Sequence, residues 1–233
     1  MLAYGVSTSH GTHGQIVTDR GAEHNGSTPL SSMNSLTYED LGSAAQRDRR
    51  KRILDATIAL ASKGGFDAVQ MRAVAERADV ALGTLYRYFP SKIHLLVSAL
   101  AREFEQANTN FDRRPIPGDT PPDRVMYVLG RTTRSLQRDP NLTEALTRAF
   151  MFADASVANE IHVVGMHVTK LLMRAMKDPE LTTDEIEPTE EDIAIAKVIG
   201  DVWLASLVQW VTGRASAVDV SKSMDVAVRL LLR

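Results

Sequence analysis

The chain contains no cysteine. Disulfide scaffolds, thiolate zinc sites, iron–sulfur clusters and cysteine nucleophiles are excluded with it, and a reducing cytoplasm suits such a composition. Net charge is nearly absent as well, −2 over 233 residues, which alone argues against a nucleic-acid partner. No basic n-region followed by an apolar h-region opens the chain, so no secretory signal is read there. Long apolar runs are scarce. The most apolar stretch, Ile193 to Val211, carries Lys197, Asp201 and Gln209 and reads as a buried helix, not a membrane span. There is no Gly-rich phosphate loop after a strand, no G-x-S-x-G and no H-E-x-x-H. His162 and His167 are five apart, on different helix faces, a poor metal pair. His94 reads as a helix-surface residue, and His10, His13 and His24 lie in a polar N-terminal segment. No catalytic residue, metal or cofactor is expected.

What is present has ordinary globular proportions: 44% hydrophobic and 24% charged residues, on a chain long enough to bury a core. The charge is unevenly spread. Residues 44–90 hold nine Lys/Arg against five Asp/Glu. The segments on either side are mildly acidic. A basic module joined to an acidic one restores nucleic acid as a candidate partner.

The pattern divides the chain into residues 1–43, 44–92 and 93–233. The first segment is rich in Gly, Ser, Thr, His and Asn and reads as a disordered tail. Met33 lies inside it as a candidate alternative start. From Ser43, a plausible N-cap, helical periodicity runs over Ala44 to Lys63 and stops at Gly64-Gly65. Short helices are predicted over Met71–Ala78 and Ala81–Tyr88, then a long one from Ser91 to Asn110. Further helices are predicted over Asp123–Arg138, Leu142–Ala153, Ser156–Lys177, Glu190–Thr212 and Ala217–Leu232. No strand pairs and no repeats are found, so the fold class is all-α.

Residues 71–88 have the layout of a helix-turn-helix. The first helix buries Val74 and Ala75 and lets the second cross it. A single helix fits a major groove. On the second helix Leu82, Gly83, Thr84, Tyr86 and Arg87 are the expected exposed positions. Gly83 leaves room for close approach to DNA, and Tyr88 and Lys92 are placed to reach phosphate. Upstream, Arg47, Arg49, Arg50, Lys51 and Arg52 suit the phosphate backbone. A structural helical hairpin with a solvated basic face is the competing interpretation.

Six short motifs carry a more specific signal: Ile53-Leu-Asp-Ala56, Gly64-Gly-Phe66, Val69-Gln-Met-Arg72, Val74-Ala75, Gly83-Thr-Leu-Tyr-Arg-Tyr-Phe-Pro-Ser-Lys92 and Leu95-Leu96. Over Ile53 to Leu96 the chain resembles the N-terminal DNA-binding domain of the TetR family of bacterial transcriptional regulators. The resemblance implies DNA contacts from Gln70 and Arg72 as well as from the residues above. Three positions depart from the usual pattern: Asp79 stands for Gly, Ala81 for Ser or Thr, and Leu82 for a polar or basic residue. Loss of the Ser/Thr cap should weaken the recognition helix unless Asp79 caps it, and Leu82 offers an apolar contact to a thymine methyl.

For the remainder the resemblance implies a helical body that dimerises through its last two helices. The sequence agrees: Ile199, Trp203, Leu207 and Trp210 on the penultimate helix, with Met224 and Leu231 on the last, are the expected homodimer interface. Tyr127, Phe150, Phe152 and Met166 are candidate walls of an apolar ligand site. Over Leu41 to Leu232 the similarity is closer to those family members that repress cholesterol (steroid) catabolism in actinobacteria. That implies operator DNA as partner and a steroid-acid CoA thioester as inducer. Arg124, Arg131, Arg134 and Arg138 share one helix stripe, followed by Arg148. Arginine pairs well with phosphate, but a solvated stripe neutralised by acids such as Asp139 and Glu144 is the favoured interpretation. Another apolar ligand, such as a fatty acyl-CoA or a drug, and an all-α enzyme or scaffold unconnected with DNA, stay open.

Overall fold

The computed structural model describes residues 38–112, 115–177 and 188–232. Nine α-helices and one 3₁₀ turn occur among these residues, with no strand. Helix α1 spans Tyr38–Ala68, α2 Met71–Arg77, α3 Leu82–Tyr88 and α4 Lys92–Asp112. Helix α5 covers Pro121–Gln137 and α6 Pro140–Met151, and the 3₁₀ turn Ala155–Val157 leads into α7, Ala158–Met176. Helices α8, Glu190–Val211, and α9, Ala217–Leu231, end the chain.

Four of these helix starts are written in side-chain capping chemistry. Thr120 caps α5 and Asp139 caps α6, each accepting from a backbone N–H three residues on, with Pro121 and Pro140 at the first helical position. Thr189 with Asp192, and Ser216 with Asp219, form reciprocal capping boxes on α8 and α9. Inside α1, Gly64 and Gly65 have non-helical backbone angles, so the expected break at the glycine pair is present as a kink. The predicted tail over 1–43 needs correction at its end. Helix α1 starts at Tyr38, because a helix already nucleated by the packed residues beyond Arg52 extends at small cost per residue. Residues 1–37, including Met33, lie outside the described residues.

Helices α1 to α3 form the head around Ile53, Leu54, Val74, Ala75, Leu85 and Phe89, all buried. Helix α4 belongs to both parts. Its first turns pack on the head, and farther on Phe104 sits edge-on to Trp203 of α8, ring centroids 5.8 Å apart. The end of α1 lies against α6, α4 against α7, and α8 against α9. From Tyr38 onward the chain clusters as one unit.

Candidate DNA interface and ligand cavity

The head is built as a helix-turn-helix. Ala78 ends α2, and Asp79 turns the chain with φ +53°. That left-handed conformation explains why a glycine is usual at this position. Asp79 does not cap α3. The N-cap is Ala81, and no side chain bonds the free N–H groups there. The turn is held from below: the Arg52 guanidinium donates to the carbonyls of Ala78 at 2.6 Å and Asp79 at 3.3 Å. Arg52, expected on phosphate, is thus a clamp on the turn, satisfying carbonyls at the end of α2.

On α3, Gly83, Tyr86 and Arg87 are exposed and Thr84 is half-buried. Leu82, expected to face outward, is half-buried and packed on the core, because one side of a short amphipathic helix must close over Leu85. Gly83 has an ordinary φ, and a Cβ built on it would meet nothing within 4 Å. Arg49, Arg87 and Tyr88 line one small cleft with Gln46, so the basic start of α1 stands beside the end of α3. Gln70 and Arg72 are exposed at the start of α2. Lys51 is exposed and paired with Asp55 at 2.9 Å.

Lys92 is placed differently. Its ammonium lies 3.8 Å from the centroid of Phe66, and the Arg148 guanidinium lies 4.4 Å from the same centroid. Burial pushes the Lys92 ammonium below its ordinary pKa. The same junction carries a lock between head and body. Glu144 of α6 accepts from the backbone N–H of Phe66 at 2.9 Å, and Asn141 donates to the carbonyl of Ser62 at 3.1 Å. Gly65, at φ +69°, lets this happen: a Cβ there would stand 2.8 Å from the Glu144 carboxylate. His94 is a second link and a correction to the expected surface position. It is buried, with Nδ1 against the Ser91 hydroxyl at 2.9 Å and Nε2 against the Ser156 carbonyl at 3.0 Å. Helix α4 starts inside the molecule at this point, under the turn that joins α6 to α7.

The body holds two adjoining spaces. The first is an apolar cavity of about 170 Å³ walled by α4, α6, α7 and α8, with Phe104, Leu146, Phe150, Val164 and Trp203 among its walls. The second is a polar cleft of about 430 Å³ between α4 and α5, bearing Glu103, Tyr127, Arg131, Arg134 and Arg138. Leu100, Phe104 and Leu136 line both, so a thin apolar wall separates them. Burial raises the Glu103 carboxyl above its ordinary pKa. Arg131 lies over Phe111 at 5.6 Å and donates to the Tyr127 hydroxyl at 3.3 Å.

Three sequence expectations change here. Phe152 and Met166 are 70% and 59% exposed and line neither space, because α6 and α7 turn them outward. The arginine stripe divides. Arg124 is buried and donates to the carbonyls of Ala175 and Lys177, satisfying the end of α7, and Arg148 serves the junction with the head. Of the acids expected to neutralise the stripe, Asp139 is a helix cap, and Glu144 accepts from the Phe66 N–H while also pairing with Arg148 at 3.5 Å. Among the described residues, Arg131, Arg134 and Arg138 have no ion-pair partner. Finally, Ile199, Trp203, Leu207 and Met224 are buried by their own chain, and Trp210 and Leu231 are half-buried on the same core. Trp203 and Leu207 line the apolar cavity. The apolar residues left uncovered are Ile193 and Val198 on α8 and Val218, Val226 and Leu230 on α9. Periodicity marked these helices as apolar nearly all round, and that pattern carries no label for which side meets the chain's own core.

Comparison with known proteins bears on both halves. A family model described as bacterial regulatory proteins, tetR family, matches residues 53–99, and one described as tetracyclin repressor-like, C-terminal domain, matches residues 118–231. The chain is 60% identical over 197 residues to the HTH-type transcriptional repressor KstR of Mycolicibacterium smegmatis, covering 84% of this chain and 93% of that protein. The crystal structure of a TetR transcriptional regulator from Rhodococcus sp. RHA1 matches with TM-score 0.72 and 33% identity, over 81% of this chain and 97% of that one. FadR from Thermus thermophilus, in complex with lauroyl-CoA, shares the fold with TM-score 0.59 at 19% identity, over 78% of this chain and 93% of that one. Head and body are matched independently and in order, and the chain belongs to the TetR family of bacterial transcriptional regulators.

Proposed function

We propose that this protein is a cytoplasmic repressor that binds palindromic operator DNA as a homodimer and is released by a steroid-acid CoA thioester, so controlling steroid (cholesterol) catabolism genes. The observation that carries the ligand-released mechanism is the double role of α6. Its inner face, Thr143, Leu146, Thr147 and Phe150, walls the apolar cavity. Its outer face, Asn141, Glu144 and Arg148, holds the end of α1. A ligand that displaces the inner face must move the outer one, and the head with it. Helix α4 acts in parallel, starting beside the recognition helix and walling the cavity with Leu100 and Phe104.

Each end of the ligand has its counterpart. The cavity takes the ring system, and the unpaired Arg131, Arg134 and Arg138 in the adjoining cleft suit the CoA phosphates. Similarity to a KstR repressor at 60% identity supports the steroid assignment. On the DNA side, the fold itself makes no demand for glycine at position 83, so the space it leaves is for an external partner, the floor of a major groove. Thr84, Tyr86 and Arg87 stand nearest the base edges, with Arg49, Lys51, Gln70, Arg72 and Tyr88 on the flanking phosphates. Lys92 reaches phosphate only by leaving Phe66. Dimer half-sites are expected about 34–36 Å apart.

The test is operator release followed by fluorescence anisotropy, with a steroid-acid CoA thioester, palmitoyl-CoA and free CoA as competitors. Release by the steroid thioester at the lowest concentration is expected. Release by palmitoyl-CoA alone would transfer the site to fatty acyl-CoA, and failure to bind any palindromic operator would overturn the repressor reading itself.

A further inference from the structure

The basic residues at the start of α1 look alike in the sequence, and the packing sorts them. Arg52 holds the turn after α2. Lys51 pairs with Asp55, and the Arg50 guanidinium lies over the Phe89 ring at 5.6 Å. Arg49 has no ion-pair partner among the described residues, and it meets a second element. It lines a cleft of about 270 Å³ with Gln46 of its own helix and with Arg87 and Tyr88 from the last turn of α3. Arg87 has no ion-pair partner among the described residues either. Among those residues no carboxylate lines the cleft, and the acids on neighbouring turns of α1 are occupied. Asp48 pairs with Arg52 at 3.1 Å, and Asp55 with Lys51 at 2.9 Å and Arg102 at 2.7 Å. Two guanidiniums from different helices thus converge on one space with no opposite charge between them. Such an arrangement is repulsive until an anion enters.

Resting on the operator reading above, we propose that Arg49 and Arg87 hold one and the same operator phosphate, so that α1 and α3 are clamped together through the DNA. A phosphodiester offers two charged oxygens, and each guanidinium brings a fork of N–H donors to them. The Tyr88 hydroxyl and the Gln46 amide add neutral donors around the same space. The clamp divides the work of α3. Thr84 and Tyr86 are left to the bases, while the Arg87 guanidinium is drawn to the backbone, where contacts fix register and carry no sequence information. The clamp also gives α1 two fastenings. About 20 Å of helix separates Arg49 from Ser62, whose carbonyl accepts from Asn141 of α6. The phosphate therefore fastens to DNA the same helix that α6 fastens to the body.

The experiment uses the full chain and a palindromic operator duplex, with copies in which one phosphate at a time, in both half-sites, is a neutral methylphosphonate. Anisotropy gives the affinities of the wild type, Arg49→Ala, Arg87→Ala and the double variant. Neither side chain has an internal ion pair to lose, so the variants should melt with the wild type. Each single change should weaken operator binding about three- to tenfold and flatten the salt slope by about one unit for each head. The double change should weaken it by less than the product of the two. One methylphosphonate position should erase the difference between the wild type and both single variants. Losses that map to two different phosphates, or that multiply in the double variant, overturn the shared clamp while the operator reading stands. So does a loss from Arg87→Ala that changes with the operator's base sequence, which would make Arg87 a base reader. If the wild type binds no palindromic operator, the operator reading fails and the clamp falls with it.

Discussion

Gly83 and Asp79 are both backbone choices in the head, and they answer to different constraints. Asp79 satisfies an internal one: the turn needs φ > 0, and a short polar side chain tolerates it at modest cost. Nothing inside the molecule calls for Gly83. Gly83→Ala should therefore stabilise the free protein by about 0.5–1 kcal/mol, the usual gain of Ala over Gly in a helix, while weakening operator binding. Urea unfolding and anisotropy on the same preparation check it, and an unchanged operator affinity would remove position 83 from the interface. Much at this scale was legible in the sequence, because a motif fixes which residue occupies which turn. What was not legible depends on distant partners. Arg52 looks like its basic neighbours until the carbonyls of Ala78 and Asp79 arrive beneath it. His94 looks like a surface histidine until the turn at Ser156 folds over it.

At the scale of helices, the boundaries were legible because proline, Ser/Thr and Asp announce them locally. One of these ends titrates. Lys177 lies 2.5 Å from Asp192, and together with the Thr189 capping box it holds the Asp192 carboxyl down at about 2. A carboxyl depressed in the folded state stabilises above the ordinary carboxylate range, and that contribution is lost as pH falls from about 4 towards 2. Asp192→Asn should cost about 1 kcal/mol at pH 7, as for a lost cap, and the gap to wild type should close as pH drops through that window. Urea midpoints at pH 7, 4 and 3 decide it; a constant gap would mean that the charge on Asp192 does not contribute. Helix α6 carries the second prediction. Glu144→Ala releases its hold on Phe66, so ligand and operator should become less coupled, by about 0.5–2 kcal/mol. Titrating the ligand with and without operator measures this directly, since the two affinities differ by the coupling factor. A ratio equal to that of wild type would route the signal through α4 alone.

Across the whole molecule, helix composition points to a two-fold bundle of α8 and α9; of the residues expected there, Ile199, Trp203, Leu207 and Met224 are buried in their own chain, and Trp210 and Leu231 are half-buried. By length and composition α8 could cross a membrane, yet only part of it is covered by its own chain. Val198 on α8 and Val226 and Leu230 on α9 are left exposed, and we propose that this is where a mate packs. Val226→Lys should give folded monomers that bind operator weakly, whereas Trp203→Ala should leave the dimer intact and damage the cavity. Light scattering separates the two outcomes, and a dimer unaffected by Val226→Lys together with one broken by Trp203→Ala would reverse this assignment. The size of the apolar cavity has a consequence in time. At about 170 Å³ it is smaller than the roughly 300–1,000 Å³ of ordinary ligand pockets. A bulky inducer can enter only when α4, α6 and α8 part, and it can leave only when they part again. Filling and emptying are then gated by the protein's own breathing and not by diffusion. Such a repressor ignores brief pulses of metabolite and responds to a sustained supply: a low-pass filter whose cut-off is set by the stiffness of three helices.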